Sequence, residues 1–424
     1  MKLSHIFVKG ESIRGEKQGV ISFPLIKNLQ VLLVVEQFNT VGSGGLAARH
    51  LSRVLSRAGA SVCVYCMSDW GLDTIDPHER ADLCLTLSLH WGGMRHFRPG
   101  PEIARFRSLL KEFKPDVVDF CSLQYAKSRF LIQAAYQDHA RLVARPWIYD
   151  WFCVHGYCFL NGKPCSLCAS GRFFYSWIHG CGQTRSLLSR LFSYPLLRRD
   201  ILRFDSFLST SQAMDQILIK YGVTEERIVR ASVPFDPQRI ADFTTADGDE
   251  FVFYGQLKDF KGAFLLPEVI KACPSAKFVL RPLGASQEEL QKYRDELSQM
   301  QNVTIDLDSS WIDWLGKRVA ISRAVLAPSL YPMSPEYTFM EALGLSKPIV
   351  AFDVGAHHDL LVHKENAMVV PHGDWRAFAD AVHELDVDPQ LRHKLSEGAR
   401  YTFEQLTSDV SLLKSAERAY ARIS

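Results

Sequence analysis

The chain has 424 residues, 47% apolar and 23% charged, the balance of a soluble globular protein with room for two or three domains, each with its own core. No apolar run approaches the roughly 20 residues of a membrane span, and residues 1–9 lack a secretory apolar segment, so a cytoplasmic protein is expected. Low-complexity tracts and solenoid repeats are absent, which excludes fibrous and array proteins. The net charge of +2 hides an uneven spread, with a balance of +9 over residues 1–245 and −7 over the rest. A basic first half suits an anionic partner (phosphate, lipid surface, acidic glycan or nucleic acid) or is simply solvated surface.

Residues 1–27 are polar, with one short apolar run at 20–26, and read as an extension before the first domain. Residues 31–35 form a continuous apolar run of buried-strand type. A Gly-containing loop at 36–45 follows, then helical spacing at 46–58 and a second strand at 61–65. Strand, Gly-rich loop, helix and strand open a Rossmann-like domain. The loop lacks the G-x-G-x-x-G spacing, so NAD is not expected. Helices at 101–113 and 127–138 alternate with strands at 116–120 and 141–144, which predicts a parallel, doubly wound sheet. Tyr149-Asp150 follows the last of these strands.

Cysteines then cluster. Cys158, Cys165, Cys168 and Cys181 fall in a segment rich in Gly and aromatics, here taken as an insert over residues 150–182. The Cys165-x2-Cys168 pair has zinc-site spacing, and two more thiolates would complete a tetrahedral structural site. An iron–sulfur cluster or four unligated buried thiols are the alternatives, with Cys153, His155 and His179 as substitute ligands. Cys63, Cys66, Cys84, Cys121 and Cys273 read as core. Residues 184–204 predict a basic amphipathic helix carrying Arg185, Arg190, Arg198, Arg199 and Arg203. Such a helix can lie on an anionic membrane, as a peripheral contact, or turn its apolar face inward as an ordinary surface helix.

A short strand at 206–211 runs into a helix capped by Ser211, and Asp236 precedes a polar stretch at 244–249. The domain boundary is placed there, giving domains over 28–248 and 249–404 and a C-terminal segment at 405–424. The second domain opens with a strand ending in Gly255-Gln256, then Lys261-Gly262 at a helix start. Strands follow at 277–280, 303–305 and 324–327. Pro328, Pro332 and Pro335 hold an irregular loop until Glu336. A helix over 337–345 contains Glu341-Ala342-Leu343, and the next strand starts at Ile349. A helix that begins just past a strand's carboxyl end is where open α/β sheets bind ligands, and its free N–H groups suit phosphate or sugar oxygens.

The order of elements from residue 29 onward, with Gly44-Gly45, Asp150, Lys261-Gly262, Glu341-Ala342 and Gly355, resembles retaining GT-B glycosyltransferases of family 4. The resemblance implies an α/β chain of two Rossmann-like doubly wound domains facing across a cleft, the last helix crossing back to the first domain. It implies a nucleotide-diphosphate sugar as donor, with Glu341 accepting from ribose hydroxyls and Lys261 stabilising the departing diphosphate. Gly44 and Gly45 would lie against the donor phosphates and acceptor, Gly255 and Gln256 belong to the second domain's phosphate-binding element, and the amides near Thr338 and Phe339 would bind the distal phosphate or sugar. Asp150 would orient the acceptor, a glycan, lipid-linked or other anionic molecule. The family needs no catalytic metal, so any zinc would be structural. Two positions depart from the family pattern: Met333 stands where the first glutamate of Glu-x7-Glu is usual, and Gln256 where an arginine is usual. Glu336 is the nearest carboxylate that could reach the sugar. These departures keep open a catalytically degenerate nucleotide-sugar-binding or scaffold subunit, and a GT-B epimerase or phosphorylase stands further off.

Overall fold

The computed structural model describes residues 23–39, 42–68, 84–87, 101–121, 125–181, 184–308, 310–332 and 334–421. Most of the expected N-terminal extension and Met333 lie outside the described residues, as do the side chains of residues 184–192.

The first domain is built on a parallel sheet of seven strands: β1 (Gln30–Val35), β2 (Ser61–Cys66), β3 (Cys84–Leu87), β4 (Val117–Cys121), β5 (Arg141–Arg145), β8 (Ser206–Ser209) and β9 (Ile228–Arg230). Two short strands, β6 (Phe159–Leu160) and β7 (Lys163–Pro164), pair antiparallel as a hairpin inside the Cys-containing insert. Spatial order in the sheet is β3-β2-β1-β4-β5-β8-β9, so chain direction across the sheet reverses between β1 and β4. The apolar run at 31–35 is almost fully buried because both sheet faces are covered. Leu32 and Val34 join one core, whereas Val31, Leu33 and Val35 join the other.

The second domain repeats the plan with six parallel strands: β10 (Glu250–Gln256), β11 (Lys277–Leu283), β12 (Val303–Ile305), β13 (Ala324–Ala327), β14 (Ile349–Phe352) and β15 (Met368–Val370), in the order β12-β11-β10-β13-β14-β15. Its reversal falls between β10 and β13. Both reversals put carboxyl strand ends at a crevice, the place where such sheets bind ligands.

The last helix, Asp409–Tyr420, packs on the first domain: Leu412, Leu413, Ala416, Ala419 and Tyr420 complete the core that contains Val31, Leu33 and Val35. A buried polar knot fixes its end. Asp119 Oδ2 accepts from Tyr420 Oη at 2.8 Å and from Arg145 Nη2 at 2.8 Å, and Arg141 Nε donates to Ala419 O at 2.8 Å. A fully buried carboxylate is tolerable only with such partners. Among the described residues no helix is long and apolar enough to cross a membrane.

Candidate active site

A cleft of about 1010 Å³ lies between the two domains. Val35, Glu36, Gln37, Gly44, Trp147, Asp150 and Tyr157 line it from the first domain, and Gly255, Gln256, Lys261, Glu336, Thr338, Phe339 and Glu341 from the second. Ten residues were expected to handle the donor and acceptor, and all but Gly45 line the cleft.

Gly45 has a different job. The helix Ser43–Arg57 starts earlier than the sequence pattern suggests, so Gly44 and Gly45 sit in its first turn. A Cβ on Gly45 would collide with the Asn39 side chain, whereas one on Gly44 would meet nothing within 4 Å. Gly45 therefore allows close approach of Asn39, and Gly44 leaves open space facing the cleft.

Lys261 ends the turn Asp259–Lys261 and is followed by Gly262 at φ 67°. A Cβ on Gly262 would strike Pro328 O, so glycine lets this turn lie against the loop after β13. That approach brings Lys261 Nζ into an ion pair with Glu336 Oε1. Tyr331 Oη also donates to Glu336 Oε1, at 2.9 Å. Burial pushes the Glu336 carboxyl up, but the Lys261 charge and the Lys261 and Tyr331 hydrogen bonds outweigh it and hold it below the usual carboxylate range. Glu336 is the extended residue before the helix Tyr337–Gly344, and its side chain does not cap that helix. The first-turn N–H groups, which no helix satisfies internally, belong to residues that line the cleft.

Glu341 lies one turn further along that helix, 2% exposed. It forms an ion pair with Arg239, from the helix Gln238–Ala241 that joins the domains. Arg239 stacks over the Trp311 ring at 4.8 Å, and Trp311 Nε1 donates to Arg239 O at 3.3 Å. Burial raises the Glu341 carboxyl, and attraction and hydrogen bonding from Arg239 offset only part of this. Tyr254 Oη donates to Thr338 O at 2.9 Å, tying β10 to the helix start.

Three cleft residues were not expected from the sequence, Arg239, Arg281 and Tyr157, and Tyr149 ties the domains together beside them. Arg239 was hidden in a short linker helix. Arg281 lines the cleft from β11, where it pairs in register with Tyr254 of β10; a charged residue inside an apolar strand was the available signal. Tyr149 is buried, and its hydroxyl donates across the domains to Pro332 O. Tyr157, from the insert, stacks on Phe260 of the second domain at 3.8 Å between centroids. Asp150 stands beside these, its backbone carbonyl accepting from Tyr194 Oη at 2.8 Å.

Zinc ligation by Cys158, Cys165, Cys168 and Cys181 gains no support from the structure: among the described residues no three His, Cys, Asp or Glu side chains are placed to hold a metal ion. Cys153, Cys165, Cys168 and Cys181 do surround a small void with His155 and His179, but Cys158 does not line it. Cys153, Cys158 and Cys168 are buried close enough to perturb one another's thiols. Cys63, Cys66, Cys121 and Cys273 are buried as expected of core; the Cys84 side chain lies outside the described residues. On and just past the basic helix, Thr184–Ile201, the described arginines divide: Arg199 is exposed, whereas two others are engaged within the protein. Arg198 Nε donates to Tyr221 O at 2.9 Å, and Arg203, just past the helix, lies over the Tyr136 ring at 4.6 Å.

Residues 238–402 match the family model for glycosyl transferases group 1, and residues 42–233 match that for the glycosyl transferase 4-like domain. The two matches take in most of both domains, and the chain belongs to the GT-B glycosyltransferases. HepE of Anabaena, solved in complex with UDP-glucose, superposes with a TM-score of 0.67 at 17% identity, covering 91% of this chain and 98% of that one. Sucrose-phosphate synthase of Thermosynechococcus elongatus superposes with a TM-score of 0.67 at 14% identity, covering 92% and 98%. Among curated proteins, O-antigen chain mannosyltransferase C of Escherichia coli is 21% identical over 206 residues, which span 47% of this chain and 54% of that protein. Alpha-D-kanosaminyltransferase of Streptomyces kanamyceticus is 26% identical over 132 residues, 31% of this chain and 34% of that protein. The matched stretches thus span about half and a third of these relatives' lengths.

Proposed function

We propose that the chain transfers a hexosyl or pentosyl group from a nucleotide-diphosphate sugar to an acceptor hydroxyl, with retention of anomeric configuration, in glycan or glycoconjugate synthesis. The observation that carries this reading is the convergence of Lys261, Glu336, Glu341 and the start of the helix Tyr337–Gly344 on one side of a single cleft with Gly44 and Asp150 on the other.

Each group has a chemical task. Glu341, held by Arg239, accepts from two ribose hydroxyls, as a carboxylate has lone pairs to spare beyond one ion pair. The Lys261 ammonium meets the diphosphate and stabilises the charge that grows on it as the glycosidic bond breaks. The helix N–H groups at Thr338 and Phe339 take the distal phosphate or the sugar. Glu336, at the junction of Lys261 and this helix, accepts from a sugar hydroxyl while keeping Lys261 in place. Arg281 adds a second cation on the donor side, where Gln256 cannot supply one. Asp150 and Gly44 receive the acceptor, a glycan or lipid-linked molecule. Attack from the face that the diphosphate leaves would let its oxygen take the acceptor proton, so no separate base is required.

One observation favours a second reading, a nucleotide-sugar-binding subunit without turnover. Lys261 is already neutralised by Glu336, and Gln256 is uncharged. Incubation with UDP-, GDP-, ADP- and dTDP-sugars separates the two. UDP-sugars come first because HepE holds UDP-glucose. Donor consumption, with the released nucleoside diphosphate measured, supports the transferase, and it is lost in Lys261→Met. Binding with no consumption across varied acceptors supports the subunit.

A further inference from the structure

Four large apolar side chains stand exposed within five consecutive residues of the insert: Phe174 at 57%, Tyr175 at 38%, Trp177 at 52% and Ile178 at 57%. They are held out by structure rather than left loose. Phe173 is 5% exposed against the Tyr194 ring, 5.1 Å between centroids, and the buried Ser176 hydroxyl donates to Phe173 O at 2.6 Å. The single-turn helix Tyr175–Ile178 is thereby pinned with its apolar residues outward. Clustered apolar exposure of this kind on a soluble chain marks a contact surface.

Charge points to the partner. Between Asp150 and Asp200 the sequence holds no Asp or Glu, but it holds Lys163, Arg172, Arg185, Arg190, Arg198 and Arg199. Lys163 and Arg172 are exposed. We propose that residues 172–179 dock the protein on an anionic phospholipid bilayer. The Trp177 and Tyr175 rings suit the headgroup boundary, apolar in body and polar at one edge, with Phe174 and Ile178 reaching deeper. Arg172 in the same segment and Lys163 in the same insert, both exposed, would meet lipid phosphates, and the insert's own sequence adds no carboxylate after Asp150 to repel the leaflet. A second copy of the chain is the poorer occupant, since a two-fold contact would set the same basic surface against itself. On the following helix, the membrane face expected from the sequence, Arg198 and Arg203 are engaged within the protein and Arg199 is exposed. The same insert sends Asp150 and Tyr157 into the cleft, so docking here would bring the acceptor side to the bilayer.

The test is cosedimentation of the full chain with phosphatidylcholine vesicles, with and without phosphatidylglycerol. Wild type should partition onto the anionic vesicles and come off as salt rises. Phe174→Ser with Trp177→Ser should lower the partition about tenfold, with an unchanged melting temperature because both side chains are exposed. Arg172→Glu with Lys163→Glu should abolish the preference for phosphatidylglycerol. No partition of wild type, or partition equal to wild type in both variants, overturns the proposal. So does wild type eluting at twice the chain mass and reverting to one in the serine variant, which would assign the surface to a second copy.

Discussion

Arg239, from the helix that joins the two domains, forms an ion pair with Glu341, buried on the helix Tyr337–Gly344 of the second domain. The carboxylate proposed to bind the ribose is therefore oriented by the interdomain segment, and the guanidinium is itself clamped against Trp311.

Removing Arg239 leaves a buried carboxylate unpaired. Arg239→Met should destabilise the protein by about 3 kcal/mol in denaturant melts. Glu341→Gln combined with Arg239→Met should cost less than the two single changes added, with a coupling on the order of 1–3 kcal/mol. Strict additivity would show that the pair does not act as a unit.

Donor affinity should depend on pH through Glu341. Burial raises its carboxyl, so it picks up a proton at a higher pH than an ordinary carboxylate. The ionised form binds ribose, so affinity is full well above that point and is lost as pH falls through it. Calorimetric titration of a nucleotide-sugar at successively lower pH, starting from neutral, should show affinity weakening before an ordinary carboxylate would protonate. The Glu341→Gln variant should bind more weakly and show much less of this slope.

Glu336 lies the other way. Its carboxyl is held down by Lys261 despite burial, so it stays ionised through the same range. Glu336→Gln should reduce donor turnover by roughly tenfold or more through loss of the Lys261 clamp and a sugar contact. Unchanged turnover would remove Glu336 from the site.

Gly44 and Gly45 should separate binding from folding. Gly45→Ala meets Asn39 and should lower stability by about 1–3 kcal/mol. Gly44→Ala meets no atom of the described residues within 4 Å, so its melting temperature should hold while activity falls, the new methyl group pointing toward cleft space.

Much of the fold was legible because buried parallel strands write themselves as apolar runs. Residues 31–35 and 324–327 could be assigned on that ground, and both lie at the sheet reversals that make the cleft. The residues brought to the cleft were legible where a local pattern carries the chemistry, as in Lys261-Gly262 and Glu341-Ala342. What could not be read was pairing over distance. Nothing local links Arg239 to Glu341, or Tyr149 to Pro332, because those partners are set by how the domains meet. The cysteines show the same limit: Cys165-x2-Cys168 has ligand spacing, but spacing alone does not set how the other thiols are placed around it, and among the described residues no group of three is placed to hold a metal ion.

The most direct measurement of the central claim is a thermal-shift and calorimetric comparison of wild type and Lys261→Met against UDP-, GDP-, ADP- and dTDP-sugars. One nucleotide class should raise the wild-type melting temperature and bind with measurable heat, and the variant should lose at least about tenfold in affinity. No binding by wild type, or equal binding by the variant, would contradict the assignment of this cleft to a nucleotide-diphosphate sugar.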